Sequence, residues 1–335
     1  MAALAVLLPA LSALAAWPLY LLARRWGLLP EAALLAALLW LLAPARSLFT
    51  PSFDQALPLL LVGAAWLAAG GGRARAAAAG ALLFAACFAS YGCLPALPLV
   101  AICAAGETGA AAAARAAPPP WQRWSALALG FTLPYLVLAA VAGHDPWHAM
   151  RAALEIHERI AVAPRSYATW LLWNPYDFAL LVSPAVAGLA ALALFRIAWT
   201  DGETDSPAGP ASETRRFSIL DVLRDGRPAA PGQAGWWAAW TWWGLLALML
   251  LSGGVRGEAG RIWLPWMPFA CLFAAAALSA GGPHRASRAV SAAAPEPREP
   301  ARQAVAWGTG LALLLATEAA LTLALAARMI FVSSN

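Results

Sequence analysis

The chain has 335 residues, 62% of them hydrophobic and only 12% charged, with a mean hydropathy of +0.66. An ordinary soluble domain carries about 25% charged residues, so this composition excludes a soluble enzyme and predicts an all-α integral membrane protein. The formal charge of +5 is spread over many loops, and no stretch has the clustered basic character of a nucleic-acid surface.

In chain order, apolar segments recur at residues 2 to 23, 30 to 45, 55 to 71, 76 to 90, 92 to 106, 124 to 142, 177 to 197, 236 to 252, 263 to 280 and 304 to 331. With about 20 apolar residues needed per helical crossing, these predict a polytopic bundle of about ten transmembrane helices forming one membrane domain over 1–335. The first segment lacks a cationic n-region and is followed by Arg24-Arg25, which predicts a retained helix. All 22 basic residues are Arg; with Ala so abundant, a GC-rich genome is the simplest cause.

If Arg24 and Arg25 face the cytoplasm, the inside arginines are 24, 25, 73, 75, 115, 123, 196, 215, 216, 224, 227, 285, 288, 298 and 302. The outside set is 46, 151, 159, 165, 256, 261 and 328. Fifteen against seven supports this orientation, with both termini outside. The pair 76 to 90 and 92 to 106 is the weakest point, because one longer tilted helix there would invert everything downstream. The inverted threading puts the arginine-rich loops at 213 to 227 and 285 to 302 outside and is rejected.

The inside loops at 107 to 120, 201 to 233 and 281 to 303 are rich in Ala, Gly, Pro, Ser and mixed charge, which predicts flexible connectors. Cys87, Cys93, Cys103 and Cys271 fall in apolar segments without C-x-x-C spacing and read as buried packing residues. Trp236-Trp237-Ala238-Ala239-Trp240-Thr241-Trp242-Trp243 reads as an interfacial aromatic belt. The longest outside segment, 143 to 176, contains a helix start at Pro146. Trp147, Met150 and Leu154 follow i, i+3, i+7 there, and Arg151, Glu155 and Arg159 line another face. This predicts an amphipathic helix lying in the outer interface, either roofing a cavity or serving as a surface anchor.

Candidate chemistry gathers on the outside. Asp54 stands at the mouth of a helix, in Ser52-Phe53-Asp54-Gln55, and residues 56 to 70 carry no charge. An ionisable group costs roughly 2.5 to 3.5 kcal/mol at a helix centre and less near the headgroups, so its presence suggests use. The competing reading is structural: Ser52 and Gln55 form a capping-box pattern, and an acid in the first turn favours the helix dipole. Asp177, in Trp173-Asn174-Pro175-Tyr176-Asp177-Phe178, carries the same two readings at the entrance of the seventh helix. In Arg256-Gly257-Glu258-Ala259-Gly260-Arg261, two guanidiniums suit a phosphate, or else lipid headgroups. His144 and His148 would share a metal if helical, but Pro146 lies between them. Glu318 is an intramembrane acid without an obvious basic partner in sequence. No G-x-x-x-x-G-K-S/T, G-x-S-x-G or H-E-x-x-H pattern occurs, so a P-loop motor, a serine hydrolase and a zincin lack support.

Three stretches together resemble the GT-C class of membrane glycosyltransferases, in particular the bacterial relatives of protein mannosyltransferases and of the lipid A aminosugar transferases. They are Leu19-Tyr20-Leu21-Leu22-Ala23-Arg24-Arg25-Trp26-Gly27, Ser52-Phe53-Asp54-Gln55-Ala56-Leu57-Pro58, and residues 80 to 98, whose paired short helices support splitting 76 to 106 in two. Asn174 to Phe178 and Arg256 to Trp263 are similar to blocks in bacterial members.

The resemblance implies a bacterial inner-membrane protein, active on its extracytoplasmic face. It would transfer a sugar from a polyprenyl-phosphate donor to an envelope glycan, lipid or protein. It also implies that Asp54 is a catalytic acid orienting the acceptor or a divalent cation, with Arg256, Glu258, Arg261, His157, Asn174 and Asp177 binding substrate and the arginines holding the carrier phosphate. The family has two further helices and an acid-bearing loop before the helix that begins here at Met1. The expectation is therefore an upstream start, or an incomplete or non-catalytic relative. The alternative function is a transporter or binding protein for a lipid-linked sugar.

Overall fold

The computed structural model describes residues 2–49, 52–106, 118–200, 233–280 and 312–324. Almost all of the expected loops at 107–120, 201–233 and 281–303, and both ends of the expected last crossing at 304–331, lie outside the described residues. The described residues form helices and turns and no strand.

Proline and glycine punctuate the helices. After α1 (Ala2–Leu14) and α2 (Ala16–Arg25), α3 (Pro30–Leu42) opens with Pro at its first position and stops at Ala43, before Pro44 begins α4 (Pro44–Leu48). Proline lacks the N–H that a helix start leaves unbonded anyway, and it disfavours helical geometry in the residue before it. A 3-10 turn (Phe53–Ala56) leads into α5 (Leu57–Ala68). Residues 76 to 106 are indeed two helices, α6 (Arg73–Ala89) and α7 (Ala96–Ala105), separated by a turn at Tyr91–Cys93. The apolar helix α8 (Pro120–Ala142) ends on Gly143 in the left-handed conformation, where glycine escapes the Cβ penalty. α9 (Pro146–His157), α10 (Tyr167–Val182), α11 (Pro184–Thr200), α12 (Gln233–Leu251), the short α13 (Ala259–Ile262), α14 (Met267–Ala280) and α15 (Ala312–Ala324) follow.

Among the described residues three stretches are long and apolar enough to cross a membrane: Val6–Arg25, Pro30–Leu48 and Pro120–Ala142. α10 and α11 add a fourth if the 107° bend between them lies within one span. Ten full crossings are not supported. Phe53–Ala68, Ala96–Ala105, Trp237–Leu251, Leu264–Ser279 and Ala312–Ala324 are apolar but only 10–17 residues long. Prolines and short irregular turns divide the apolar runs more often than hydropathy reveals.

The chain nevertheless alternates between two ends of the bundle. At one end Arg24 donates to Leu28 O (2.6 Å), Arg25 donates to Trp66 O and lies over the Trp66 ring, and Arg75 donates to Gly70 O (3.1 Å). Arg123 donates there to Gly106 O and Ala105 O, and Gly235 packs against Trp26. At the other end lie Arg46, Asp54, the turn at Tyr91–Cys93 with Ile262 against Gly92, and His144 against the Phe88 ring. Arg24, Arg25, Arg75 and Arg123 thus gather toward one end of the bundle, and Arg46, Arg165, Arg256 and Arg261 toward the other.

The core joins α2, α3, α5, α7, α12 and α14. Trp40 is fully buried and donates to Ser12 O (2.8 Å), tying α3 to the α1–α2 junction. Trp242 is also fully buried, donates to Trp266 O (3.1 Å) and packs on Phe178 and Phe273. That corrects the aromatic-belt expectation for this residue: Trp242 is core, while Trp240 is exposed. All four cysteines are free and buried.

α6 and α8 approach most closely at two glycines. A Cβ on Gly80 would collide with Leu127 O and Phe131 N, and one on Gly130 with Ala77 O, all of them backbone atoms. Small residues let helix backbones meet in this way. Gly80→Ala and Gly130→Ala are each expected to destabilise the protein by about 1–3 kcal/mol, the usual cost of overpacking. Gly244→Ala on α12, where a Cβ meets nothing within 4 Å, leaves stability unchanged or raises it. Thermal unfolding in detergent compares the three, and equal melting temperatures would refute the close-packed crossing.

Candidate functional site

Asp54 is positioned by its own turn. Ser52 has extended backbone, accepts from the Asp54 N–H (3.3 Å) and donates its hydroxyl to Asp54 Oδ2 (2.9 Å). The expected capping box is only half formed. Gln55 does not reach back to Ser52; it is buried and donates its Nε2 to Arg46 O (2.6 Å), joining the turn to α4.

Opposite Asp54 stands the connection from α12 to α14. Gly253 and Gly257 have φ of 70° and 72°, and a Cβ at either would press on the ring of Tyr167 or Trp170. Both conformation and space therefore demand glycine. α9, α10 and the turn between them grip this loop. His157 Nε2 donates to Gly254 O (2.6 Å), Tyr167 OH to Leu251 O (2.9 Å), and the Gly257 N–H donates to Asn174 Oδ1 (3.3 Å). Arg165 donates to Arg256 O (2.5 Å), and Arg256 donates back to Arg165 O (3.1 Å) and to Val162 O (3.2 Å).

The grip delivers the short α13 to Asp54. Arg261 Nε lies 3.2 Å from Asp54 Oδ2, Arg261 Nη2 3.5 Å from Glu258 Oε2, and Arg165 Nη1 3.7 Å from Glu258 Oε1. Charges alternate along Asp54, Arg261, Glu258 and Arg165. The two acid side chains are 21% exposed and Arg261 is 56% exposed, so the guanidinium is the open member.

The expected site residues therefore separate into two groups. Asp54, Glu258 and Arg261 form the charged cluster, while His157, Asn174 and Arg256 hold the loop that presents it. Arg256 also lies over the Tyr167 ring (5.4 Å) and clamps the loop through Nη1. Asp177 was expected at a helix entrance. It sits inside α10, half-buried, with no hydrogen bond or ion pair to the cluster among the described residues. Pro175 does not start the helix, because Ser166 already caps it by accepting from the Thr169 N–H. Arg165 is the residue whose role the sequence concealed, since nothing local distinguishes it from the other outside arginines.

A divalent cation does not fit this arrangement. The two carboxylates that could hold one already flank the Arg261 guanidinium, and among the described residues no three His, Cys, Asp or Glu side chains form a metal-binding group. The cluster can accept hydrogen bonds from a hydroxyl at Asp54 and offer an exposed guanidinium to an anionic oxygen. No family model, characterised protein or solved structure matches the chain.

α9 leads into this loop, and its start depends on Asp145, which accepts from the N–H groups of Trp147 (2.9 Å) and His148 (3.1 Å). Those bonds, chiefly the one from His148, hold the Asp145 carboxyl below its ordinary value of 3.8. A depressed folded-state value means that the cap stabilises α9 fully above about pH 3.8 and loses its effect as pH falls through the lowered value. Amide protection at Trp147 and His148 is expected to fall over that acid range, and in Asp145→Asn to stay level. A parallel fall in both proteins would refute the carboxylate cap.

Proposed function

We propose that this is a polytopic membrane protein of the bacterial inner membrane, acting at its extracytoplasmic face in sugar transfer from a polyprenyl-phosphate donor to an envelope acceptor. The observation that carries the reading is the Asp54–Arg261–Glu258–Arg165 cluster. It places an acid suited to a sugar hydroxyl within 3.2 Å of a guanidinium suited to a carrier phosphate. The arginine distribution along the chain supports an outside position for this end of the bundle.

Two apolar surfaces support a lipid-borne substrate. α8 exposes Leu129, Leu133, Leu136, Val137 and Val141, and α9 with its following turn exposes Trp147, Leu154, Ile156 and Ile160. An amphipathic helix of this kind lies in the headgroup layer, where it can present the polar end of a long-chain substrate to the cluster.

The ion pair narrows the role of Asp54. With Oδ2 already engaged by Arg261 and the Ser52 hydroxyl, Asp54 is held in place to orient the acceptor hydroxyl. Arg261 supplies charge to the leaving phosphate. A second reading, binding or transport of the lipid-linked sugar without chemistry, is favoured by the same pairing, because every acid of the cluster already has a guanidinium beside it.

Reconstituted vesicles supplied with polyprenyl-phosphate hexose and an envelope lipid extract separate the two. Sugar transfer predicts that Asp54→Asn lowers the rate by about a hundredfold, the usual scale for a misplaced reactant, with folded protein retained. Arg261→Ala should weaken polyprenyl phosphate binding by about tenfold or more, the loss of one charged hydrogen bond. Binding sensitive to Arg261→Ala without any transfer selects the second reading; unchanged binding and no transfer refute both.

A further inference from the structure

α10 and α11 meet at 107° across one residue, Ser183. Its φ of 86° makes it the single non-glycine residue with positive φ among the described residues. Such a conformation persists only where surrounding contacts hold it. Two contacts are visible. The Ser183 hydroxyl accepts from the Ala185 N–H (3.2 Å), capping α11, and donates to Glu318 Oε1 on α15.

Glu318 is wholly buried, and its second oxygen, Oε2, has no hydrogen-bond partner. Among the described residues no arginine or histidine pairs with it. The titratable groups around it are few. α11 carries none between Pro184 and Leu194, α14 carries only Cys271, α10 has Tyr176 and Asp177 six or seven positions before Ser183, and the α3–α4 junction, met by α15 where Thr322 donates to Leu42 O, brings Arg46, which donates to Leu41 O. A buried carboxylate with no counter-charge is not tolerated; it must bind a positive charge. The break presents both signs of charge to Glu318: the last carbonyls of α10 have no continuing helix to bond them, while the first N–H groups of α11, one of them bound by Ser183, carry partial positive charge.

We infer that Glu318 and Ser183, at the break between α10 and α11, form a binding site for one monovalent cation, either Na⁺ or a proton. One carboxylate and one hydroxyl beside a helix C-terminus suit a single charge better than a divalent ion. Occupancy fixes the angle at Ser183 and hence the position of α10. Asn174 and Tyr167 on α10 hold the loop of the charged cluster, so the two sites are mechanically joined. The inference does not depend on sugar transfer.

The test uses the purified full chain in detergent, with its 18 tryptophans reporting thermal unfolding. Na⁺ is titrated against choline at constant ionic strength, and pH is varied without Na⁺. A Na⁺ site gives a saturable rise in Tm that Glu318→Gln abolishes. A proton site gives no Na⁺ response; Tm falls with rising pH, and Glu318→Gln, an isostere of the neutral acid, flattens that fall. Ser183→Gly keeps the acid and relieves the strained backbone, so it is expected to fold while shifting the midpoint of whichever response is seen. Parallel behaviour of the parent protein and Glu318→Gln in both titrations overturns the site. If Glu318→Gln does not fold, an unshifted midpoint in Ser183→Gly overturns it.

Discussion

Arg165 and Arg256 each donate a guanidinium hydrogen bond to the other's backbone carbonyl, and this crossed pair holds one end of the molecule together. The two residues lie 91 apart in sequence. Their bonds lock the glycine-containing loop after α12 onto the turn between α9 and α10. A guanidinium can do this because it is always charged, planar and rich in donors, and backbone carbonyls in an irregular loop need partners. Once the loop is locked, Glu258 and Arg261 are carried to Asp54, which comes from a separate turn ahead of α5.

This division of labour among arginines has a chemical consequence. Arg256 and Arg165 spend donors on the backbone and stack on Tyr167 and Trp170, so they set geometry. Among the described residues the Arg261 guanidinium meets only side-chain acids, and it is more than half exposed, so it is the accessible guanidinium of the cluster. Carboxylates on either side moderate its charge. Such a cluster discriminates by shape and hydrogen bonding more than by attraction at a distance.

The bundle beneath the cluster is less regular than its composition suggests. Short apolar stretches in α7, α12, α14 and α15 sit beside the longer Val6–Arg25, Pro30–Leu48 and Pro120–Ala142 stretches. Breaks at Ala43, Ser52 and Ser183 are where side chains such as those of Gln55 and Glu318 find work. Irregular backbone inside an apolar bundle has to be satisfied by polar side chains, which explains why a buried Glu accompanies a strained Ser.

The helical class, the helix starts at Pro30 and Pro146 and the split between α6 and α7 were determined by the sequence itself. Each follows from local propensity or from composition along the chain. So did the placement of Asp54 in a capped first turn beneath Ser52. The tertiary structure alone decided that Arg261 and not Arg256 meets Asp54, that Trp242 is core and that Ser183 is the partner of Glu318. Those outcomes depend on residues 24 to 207 positions apart meeting across packed helices. No pattern of neighbours encodes a pairing at that separation, because it is set by which helix faces fit together once the close contact of Gly80 and Gly130 and the loop clamp are in place.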